Sequence, residues 1–266
     1  MNATRPLVDY DAIAPHYDAR YGVNELRGIA GLLRQIAAEA AAEAGGRQAG
    51  ALEVGCGTGH WLSALAPLTR HITGLDLSAG MLGHARRQAP TSRLAQGQAG
   101  QLPFASASFD LLVCVNALHH FPNPRAFIAE SRRVLRPGGA WVNVGMDPHA
   151  GRDRWYLYDI FPGTLATDQA RFPSAGLLVD WVKAADFERA AWLTPERITN
   201  TLAGRAVLDD PFLQKHGTSQ LALLSDDAYQ AGLARLRQSL EAAEAVEQVL
   251  LFEVDLWMSA VVAWAP

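Results

Sequence analysis

The stretch Ala51–His60, ALEVGCGTGH, constrains the fold of this chain of 266 residues more than any other. A short apolar run ends at Val54 and passes, without a polar linker, into a turn with glycine at alternate positions. Glycine permits positive φ angles and lets a ligand lie against bare backbone. A helix that begins directly after such a turn points its free N–H groups at whatever the turn holds. The stretch therefore predicts a strand, a ligand-binding loop and a helix, a unit that binds nucleotide-like ligands in α/β proteins.

The spacing of the glycines distinguishes two kinds of nucleotide site. A dinucleotide fingerprint, G-x-G-x-x-G, needs a small residue three places after its second glycine. His60 stands at that place and Trp61 follows it, and both would obstruct close helix–strand packing and a bound pyrophosphate. The form E-x-G-x-G-x-G in Glu53–Gly59 instead resembles motif I of the S-adenosylmethionine-dependent methyltransferases with a Rossmann-like fold.

Further blocks follow in the order that this family has. Arg70–Asp76 predicts a second strand that ends in an acid, and a carboxylate there can accept hydrogen bonds from both ribose hydroxyls. The other blocks are Leu77–Leu82, Gly97-Gln98-Ala99, Leu102-Pro103-Phe104, Ser108-Phe109-Asp110, Leu118-His119-His120-Phe121 and the turn 134–139. Because several ordered blocks rarely coincide by chance, the chain is identified by resemblance over residues 10–145 as a class I methyltransferase of the UbiE-like, methyltransferase type 11 group.

The resemblance implies a site for S-adenosylmethionine. The residues that would hold it are Tyr17, Glu53, Gly55, Cys56, Gly57, Gly59, Asp76, Leu77, Met81, Gln98, Ala99 and Asn116. Glu53, the glycine loop and Asn116 would contact the methionine part, and Asp76 would contact the ribose. The residues around the adenine would be Leu77, Met81, Gln98 and Ala99. Tyr17 belongs to the segment Tyr10–Asp18, which in the family folds over the cofactor as a lid. The alternative is that its tyrosines only fix the N-terminus to the core.

Methyl transfer from a sulfonium is an in-line displacement, so orientation and exclusion of water can supply most of the catalysis. A general base is needed only if the acceptor must first lose a proton. His119, His120 and Tyr17 are the candidates for catalytic residues, with a structural role for the histidine pair as the alternative. Cys56 is interpreted as a small turn residue and not as a nucleophile. No carboxylate set has the spacing of a metal site, so we expect no metal.

Composition limits the partners. The net charge is −4 and there is no run of Lys or Arg, which argues against a nucleic-acid partner. The sequence contains no stretch of about 18 consecutive apolar residues, so it predicts no membrane-spanning helix. Only two cysteines occur, Cys56 and Cys114, which fits the reducing cytoplasm. We therefore expect a cytoplasmic protein that acts on a small molecule.

The expected fold is α/β: a seven-stranded Rossmann-like methyltransferase sheet with helices on both faces, an N-terminal helical lid and a helical insert before the last strand. One domain is expected, with the lid and first helix in 1–45, the cofactor-binding core in 46–146 and the acceptor side in 147–266. Within the acceptor side, Met146–Pro173 is interpreted as a long irregular segment rich in aromatic residues.

The predicted insert is Thr194–Val249. Thr194-Pro195-Glu196 has the capping residue, proline and acid of a helix start, and apolar residues recur at helical spacing from Asp226 onward. Phe252–Trp264 is the predicted last strand. A heptad-like face for a homodimer is the alternative interpretation of the helical part.

The resulting hypothesis is a methyltransferase that moves the methyl group of S-adenosylmethionine to an O, N or C atom of a small molecule. Two alternatives stay open: a protein of the same fold without transferase activity, and a nucleic-acid methyltransferase. The sequence does not name the acceptor.

Gln98 gives a first prediction, because the family usually has Asp there to accept from the adenine amine. Gln98→Asp should preserve or tighten the binding of S-adenosylhomocysteine, since a charged acceptor is stronger than an amide. Gln98→Leu should weaken it by about 1 kcal/mol or more. Calorimetry on the three proteins checks this, and equal affinities would mean that Gln98 is an ordinary solvated loop residue.

Overall fold

The computed structural model describes residues 8, 10–14, 17, 26–45, 50–69 and 71–266. The strands are β1 (Gly50–Val54), β2 (His71–Asp76), β3 (Arg93–Gln96), β4 (Phe109–Val115), β5 (Leu135–Met146), β6 (Arg154–Trp155), β7 (Glu188–Ala203) and β8 (Leu251–Trp264). The α-helices are α1 (Tyr10–Ile13), α2 (Arg27–Glu43), α3 (His60–Leu65), α4 (Ala79–Gln88), α5 (Pro124–Val134), α6 (Tyr156–Ile160), α7 (Thr164–Arg171), α8 (Ala175–Ala184), α9 (Ser219–Ala222) and α10 (Asp226–Glu244). Within the described ranges, none of these helices has the length and apolar character needed to span a bilayer.

Some predicted positions lie outside the described residues. They are Pro15, His16 and Asp18 of the expected lid segment, and Arg70 at the start of the predicted second strand.

The strands form one mixed sheet in the order β3-β2-β1-β4-β5-β8, with β7 on the far side of β8. Strands β1 to β5 pair in parallel, whereas β8 is antiparallel to both β5 and β7. This confirms the predicted Rossmann-like methyltransferase sheet. The sheet has eight strands and not seven, because the two-residue strand β6 also pairs with β8, beyond the end of β5.

Helices cover both faces of the sheet, as predicted. Every residue of β4 is buried, the pattern of a parallel strand with a core on either side. Because side chains alternate along a strand, Leu111 packs with α2 and α3 while Leu112 packs with α5 and α8. The carboxyl ends of β1, β2 and β4 are thereby held at one rigid edge, and it is there that the glycine loop begins.

The predicted helix start at Thr194 is wrong. Strand β7 runs through this segment, and its pairing with β8 shifts register between Leu193 and Glu196. Pro195 lies within that irregularity, where the absence of an N–H costs no ladder hydrogen bond. The Glu196 carboxylate accepts from the N–H of Gly28 at 2.6 Å, in the first turn of α2. The acid therefore does cap a helix start, but that of α2, which the local sequence could not indicate.

The insert between β7 and β8 is consequently 204–250, shorter than predicted. Its main helix, α10, carries the expected apolar face, and Tyr229 on that face stacks on Phe161 with ring centroids 5.8 Å apart. The face packs on the same chain and is not free for a second copy. The segment Met146–Pro173 is not irregular, since it forms β6, α6 and α7, with Tyr156 and Phe161 in the same buried cluster.

Two helix glycines give a matched test of this packing. A Cβ atom at Gly232 of α10 would lie 2.2 Å from the Phe161 ring, whereas one at Gly31 of α2 would meet nothing within 4 Å. Gly232→Ala should lower the free energy of unfolding by about 1–3 kcal/mol through overpacking. Gly31→Ala should raise it by about 0.5–1 kcal/mol, because alanine is the better helix former. Denaturant unfolding of both variants checks the pair, and similar changes of one sign would contradict the predicted docking of α10.

Candidate functional site

The loop after β1 contains three glycines with backbone conformations that other residues rarely adopt. Gly55, Gly57 and Gly59 have φ angles of +74°, +51° and +93°. A Cβ atom at Gly55 would also lie 2.3 Å from the Cβ atom of Ala117. The backbone N–H groups of Gly55 and Cys56 both donate to the Leu75 carbonyl, at 2.8 and 3.1 Å, which ties the loop to the end of β2. The loop thus exposes bare backbone at the carboxyl edge of the sheet.

Asp76, the last residue of β2, is the charged group of this loop. Its Oδ2 accepts from the N–H of Gly57 at 2.8 Å and its Oδ1 from the N–H of Ser78 at 2.9 Å. Burial raises the pKa of Asp76 despite these bonds. A carboxylate offers about four acceptor positions, so Asp76 keeps the capacity to bind a further donor.

One cavity, here named the cofactor cavity, lies at the ends of β1, β2 and β4. Its lining includes these members of the predicted cofactor set: Tyr17, Gly55, Gly57, Asp76, Leu77, Met81, Gln98, Ala99 and Asn116. Leu77 is 63% exposed at this cavity. Gln98 is exposed as well. The structure therefore brings together, around one space, residues that are up to a hundred positions apart in the chain.

The other three predicted residues lie outside the cavity lining. Glu53, Cys56 and Gly59 belong to the same strand and loop, but Glu53 and Cys56 are buried at 1% and 5% exposure. Burial, and after it the charge of Asp76, raises the pKa of Glu53 well above its usual value. Burial also raises the pKa of Cys56, so its thiol stays protonated and fits the interpretation as a turn residue.

Glu53 and Asp76 are the two acidic groups of the loop, and burial disfavours the charged form of both. Glu53 Oε2 is buried without a hydrogen-bond partner in the described part of the chain. The ion pairs formed by described residues include neither of these two carboxylates, nor do those residues contain a group of three or more metal-ligand side chains. A ligand that brings a positive charge close to these groups would favour their charged forms and would gain an ion pair.

A second cavity, here named the acceptor cavity, adjoins the first. The two share Tyr10, Tyr17, Asn116, His119 and His120. The remaining lining is mostly apolar and comes from the start of α2, from 146–172, from β7 and β8, and from the insert: Leu26, Met146, Trp155, Phe172, Ile198, Asn200, Asp210, Phe212, Thr218, Ser219, Gln220, Val254, Leu256 and Met258. The five common residues, here called the shared wall, therefore lie between the glycine-lined space and the space next to the insert.

The two histidines of the shared wall have different surroundings. His119 is 6% exposed and stacks on Phe172, with ring centroids 3.8 Å apart and planes 15° from parallel. His120 is half-buried, and its Nε2 lies 2.5 Å from the hydroxyl of Tyr10. Tyr17 meets the Tyr10 ring edge-on at 6.1 Å. Sequence reasoning missed Tyr10 as a site residue, although it opens the same segment as Tyr17.

A buried polar network supports the acceptor cavity from behind. The carboxylate of Asp168 in α7 accepts from Tyr158, from Arg171 and from Gln220, at 2.7 to 2.9 Å. Arg171 also donates to Ser219 at 3.0 Å, and Ser219 and Gln220 begin α9. Because this network fixes α9 to α7, the insert holds a defined position above the apolar space. Nothing in the spacing of these residues along the chain indicated the network.

Comparison with known proteins agrees with this geometry. Residues 52–142 match the methyltransferase domain family. A demethylmenaquinone methyltransferase of Chlorobaculum parvum is 34% identical over 206 residues, which are 68% of this chain and 83% of that protein. A fatty-acid O-methyltransferase of Mycolicibacterium smegmatis is 34% identical over 163 residues, 58% of this chain and 60% of that protein. For the fatty-acid enzyme and two further curated relatives, the chain spans only 35% to 60% of their length.

Among solved structures, a SAM-dependent methyltransferase of Thermotoga maritima has a TM-score of 0.56 at 18% sequence identity, covering 97% of this chain and 98% of that one. A likeness at this identity concerns the fold alone. The match to the Chlorobaculum enzyme extends over most of both sequences. The chain belongs to the family of S-adenosylmethionine-dependent methyltransferases.

Proposed function

We propose that this chain transfers the methyl group of S-adenosylmethionine to an O, N or C atom of a small-molecule acceptor. The observation that carries the proposal is the shared wall, where a glycine-lined cavity and a largely apolar cavity meet at Tyr10, Tyr17, Asn116, His119 and His120. Two ligands seated in the two cavities would have their ends side by side, the arrangement that an in-line displacement requires.

The residues that line the cofactor cavity support S-adenosylmethionine as its ligand. Asp76 would hold the ribose hydroxyls, Leu77 and Met81 would contact the adenine, and Asn116 would lie toward the methionine part. Asn116 has a φ angle of +52° and its N–H donates to the Val144 carbonyl at 2.8 Å, which fixes it at the end of β4. The two acidic groups, Glu53 and Asp76, would be stabilised in their charged forms by a ligand that carries an ammonium and a sulfonium group. When bound, this cofactor supplies an electrophilic methyl group.

The chain's own contribution would be to orient the acceptor, to exclude water and to take up a proton where one is released. Aromatic and apolar residues around the shared wall would exclude water from the reacting atoms. If the acceptor loses a proton, His120 is the proposed base, because its Nε2 is coupled to the Tyr10 hydroxyl. His119, stacked on Phe172, would hold the shared wall in position. Tyr17, which belongs to the same wall, would cover the cofactor.

Part of the proposed lid is docked by a set of contacts here named the N-terminal latch. Asp11 in α1 accepts from the Ser78 hydroxyl at 2.5 Å and from the Gly80 N–H at 2.7 Å. These bonds hold the pKa of Asp11 below its usual value. Since Ser78 is bonded to Asp76 through its own N–H, the latch connects α1 directly to the end of β2. Tyr10 is thereby held in its place in the shared wall.

The two alternatives call for different observations. A protein of this fold without transferase activity would bind the cofactor yet turn over no acceptor, and fold by itself does not exclude it. A nucleic-acid methyltransferase would need a basic surface, which the net charge of −4 does not favour.

We also propose that the protein acts in the cytoplasm, because Cys56 and Cys114 are both free and buried. The chain is proposed to work as one methyltransferase unit.

The cofactor assignment is tested by calorimetry on wild type and on Asp76→Asn. Wild type should bind S-adenosylhomocysteine but neither NAD(H) nor NADP(H). The variant should bind it at least about tenfold more weakly, because hydrogen bonds to a charged acceptor are lost. Asp159→Asn, at an exposed position of α6, is the matched control and should bind like wild type. Binding of a nicotinamide nucleotide in place of the sulfur ligand would refute the proposed function.

The latch is tested by Gly80→Ala. The new Cβ atom would lie 2.8 Å from Asp11 Oδ1, whereas one at Gly83 in the same helix would meet nothing within 4 Å. Gly80→Ala should weaken the binding of S-adenosylhomocysteine severalfold and speed hydrogen exchange in the peptide that contains Tyr10. Gly83→Ala should change neither quantity. Wild-type affinity and exchange in Gly80→Ala would mean that the latch does not close the cofactor cavity.

A further inference from the structure

The insert contributes one acidic side chain to the acceptor cavity. Asp210 lines this cavity and is 8% exposed. Its Oδ2 accepts from the Tyr156 hydroxyl at 2.6 Å and its Oδ1 from the Phe212 N–H at 2.9 Å. The ion pairs that described residues of this region form use other carboxylates, Asp168 with Arg171 and Asp226 with Lys215. Asp210 is therefore satisfied as an acceptor but is not neutralised by a described cation.

Both of its donors are neutral and stay so. Burial raises the pKa of Tyr156, and the hydrogen bond to Asp210 raises it further, so the hydroxyl remains protonated and donating. Two donors occupy only part of the acceptor capacity of a carboxylate, which is about four positions. A carboxylate that is almost completely buried at the surface of a cavity gains most from a ligand that brings a positive charge.

Two aromatic rings line the same cavity as this carboxylate. Trp155 precedes Tyr156 and Phe212 follows Asp210 by two positions, and both rings line the cavity. Their centroids are 6.4 Å apart and their planes lie at 76° to each other, so they form a corner. Aromatic rings attract cations through the negative charge of their faces. A carboxylate beside such a corner is a chemistry that recognises an ammonium group.

We infer that Asp210, with Trp155 and Phe212, is a binding site for a protonated amine, and that the acceptor is an apolar molecule that carries one. The inference rests on the proposed function, because it identifies the acceptor class of the same site. It goes further in making the insert, and not the glycine-loop domain, the part of the chain that selects the acceptor by charge.

The test uses octylamine, octanol and octanoate, which share one apolar body and differ in the charge of the end group at neutral pH. Binding of each is measured by calorimetry on the full chain saturated with S-adenosylhomocysteine. Octylamine should bind about tenfold or more tightly than octanoate, with octanol between them. Asp210→Asn, which keeps the shape and an acceptor oxygen, should bring the amine and the acid to within about threefold of each other.

Control variants separate charge from folding. Asp209→Asn changes the neighbouring, exposed acid and should leave the amine preference as in wild type. Tyr156→Phe removes a neutral donor to Asp210 but keeps the charge of the carboxylate, so it should retain the preference for the amine. This variant provides a second test in case Asp210→Asn does not fold. Equal binding of octylamine and octanoate by wild type, equal binding of octylamine and octanol, or an unchanged preference in a folded Asp210→Asn would each overturn the inference.

The failure of this inference and that of the proposed function give different results. If S-adenosylhomocysteine does not bind to wild type in the absence of any acceptor probe, the proposed function itself fails. If it binds but the octyl series shows no preference for the amine, only the amine site is refuted and the methyltransferase proposal stands.

Discussion

The hydrogen bonds of the Asp76 carboxylate are the contacts on which the rest of the site depends. One oxygen holds the glycine loop through Gly57 and the other holds the start of α4 through Ser78. Ser78 in turn binds Asp11, and the Tyr10 that precedes it binds His120. A single series of polar contacts thus runs from the end of β2, through the N-terminal latch, to the shared wall. A change at Asp76 would consequently affect the loop and the lid as well as a ligand's ribose.

The acceptor side has a different physical basis. Strands β7 and β8 are 16 and 14 residues long and extend beyond the other strands. Their outer parts carry apolar side chains that the elements around the parallel strands do not cover. The insert covers these side chains, with Phe161 and Tyr229 packed together and with Asp168 joining α6, α7 and α9 through hydrogen bonds. The hydrogen bonds of such a buried network hold the elements that carry them in fixed positions. The position of Asp210 depends on this arrangement.

The glycine-loop region and the acceptor side differ in how far local sequence determines their structure. The glycine loop and the strand that ends at Asp76 are local features, since φ angles and strand periodicity depend on neighbours in sequence. Thr194-Pro195-Glu196 is the opposite case: its helix-start pattern is genuine, yet a long antiparallel pairing with β8 overrides it and Glu196 caps α2 instead. Met146–Pro173 was expected to be irregular because its helices, α6 and α7, are too short to give a clear period.

The sequence by itself determined the family, the Rossmann-like class of the sheet and nine of the residues that line the cofactor cavity. It could do so because that cavity is formed by loops that directly follow strands, so that position in the chain fixes position at the sheet edge. Only the tertiary structure decided that Tyr10 meets His120, that Asp11 meets Ser78 and that Asp210 faces the same cavity as Phe172. Those pairs are 110, 67 and 38 positions apart, and such contacts arise from packing between elements, which no local periodicity or spacing encodes.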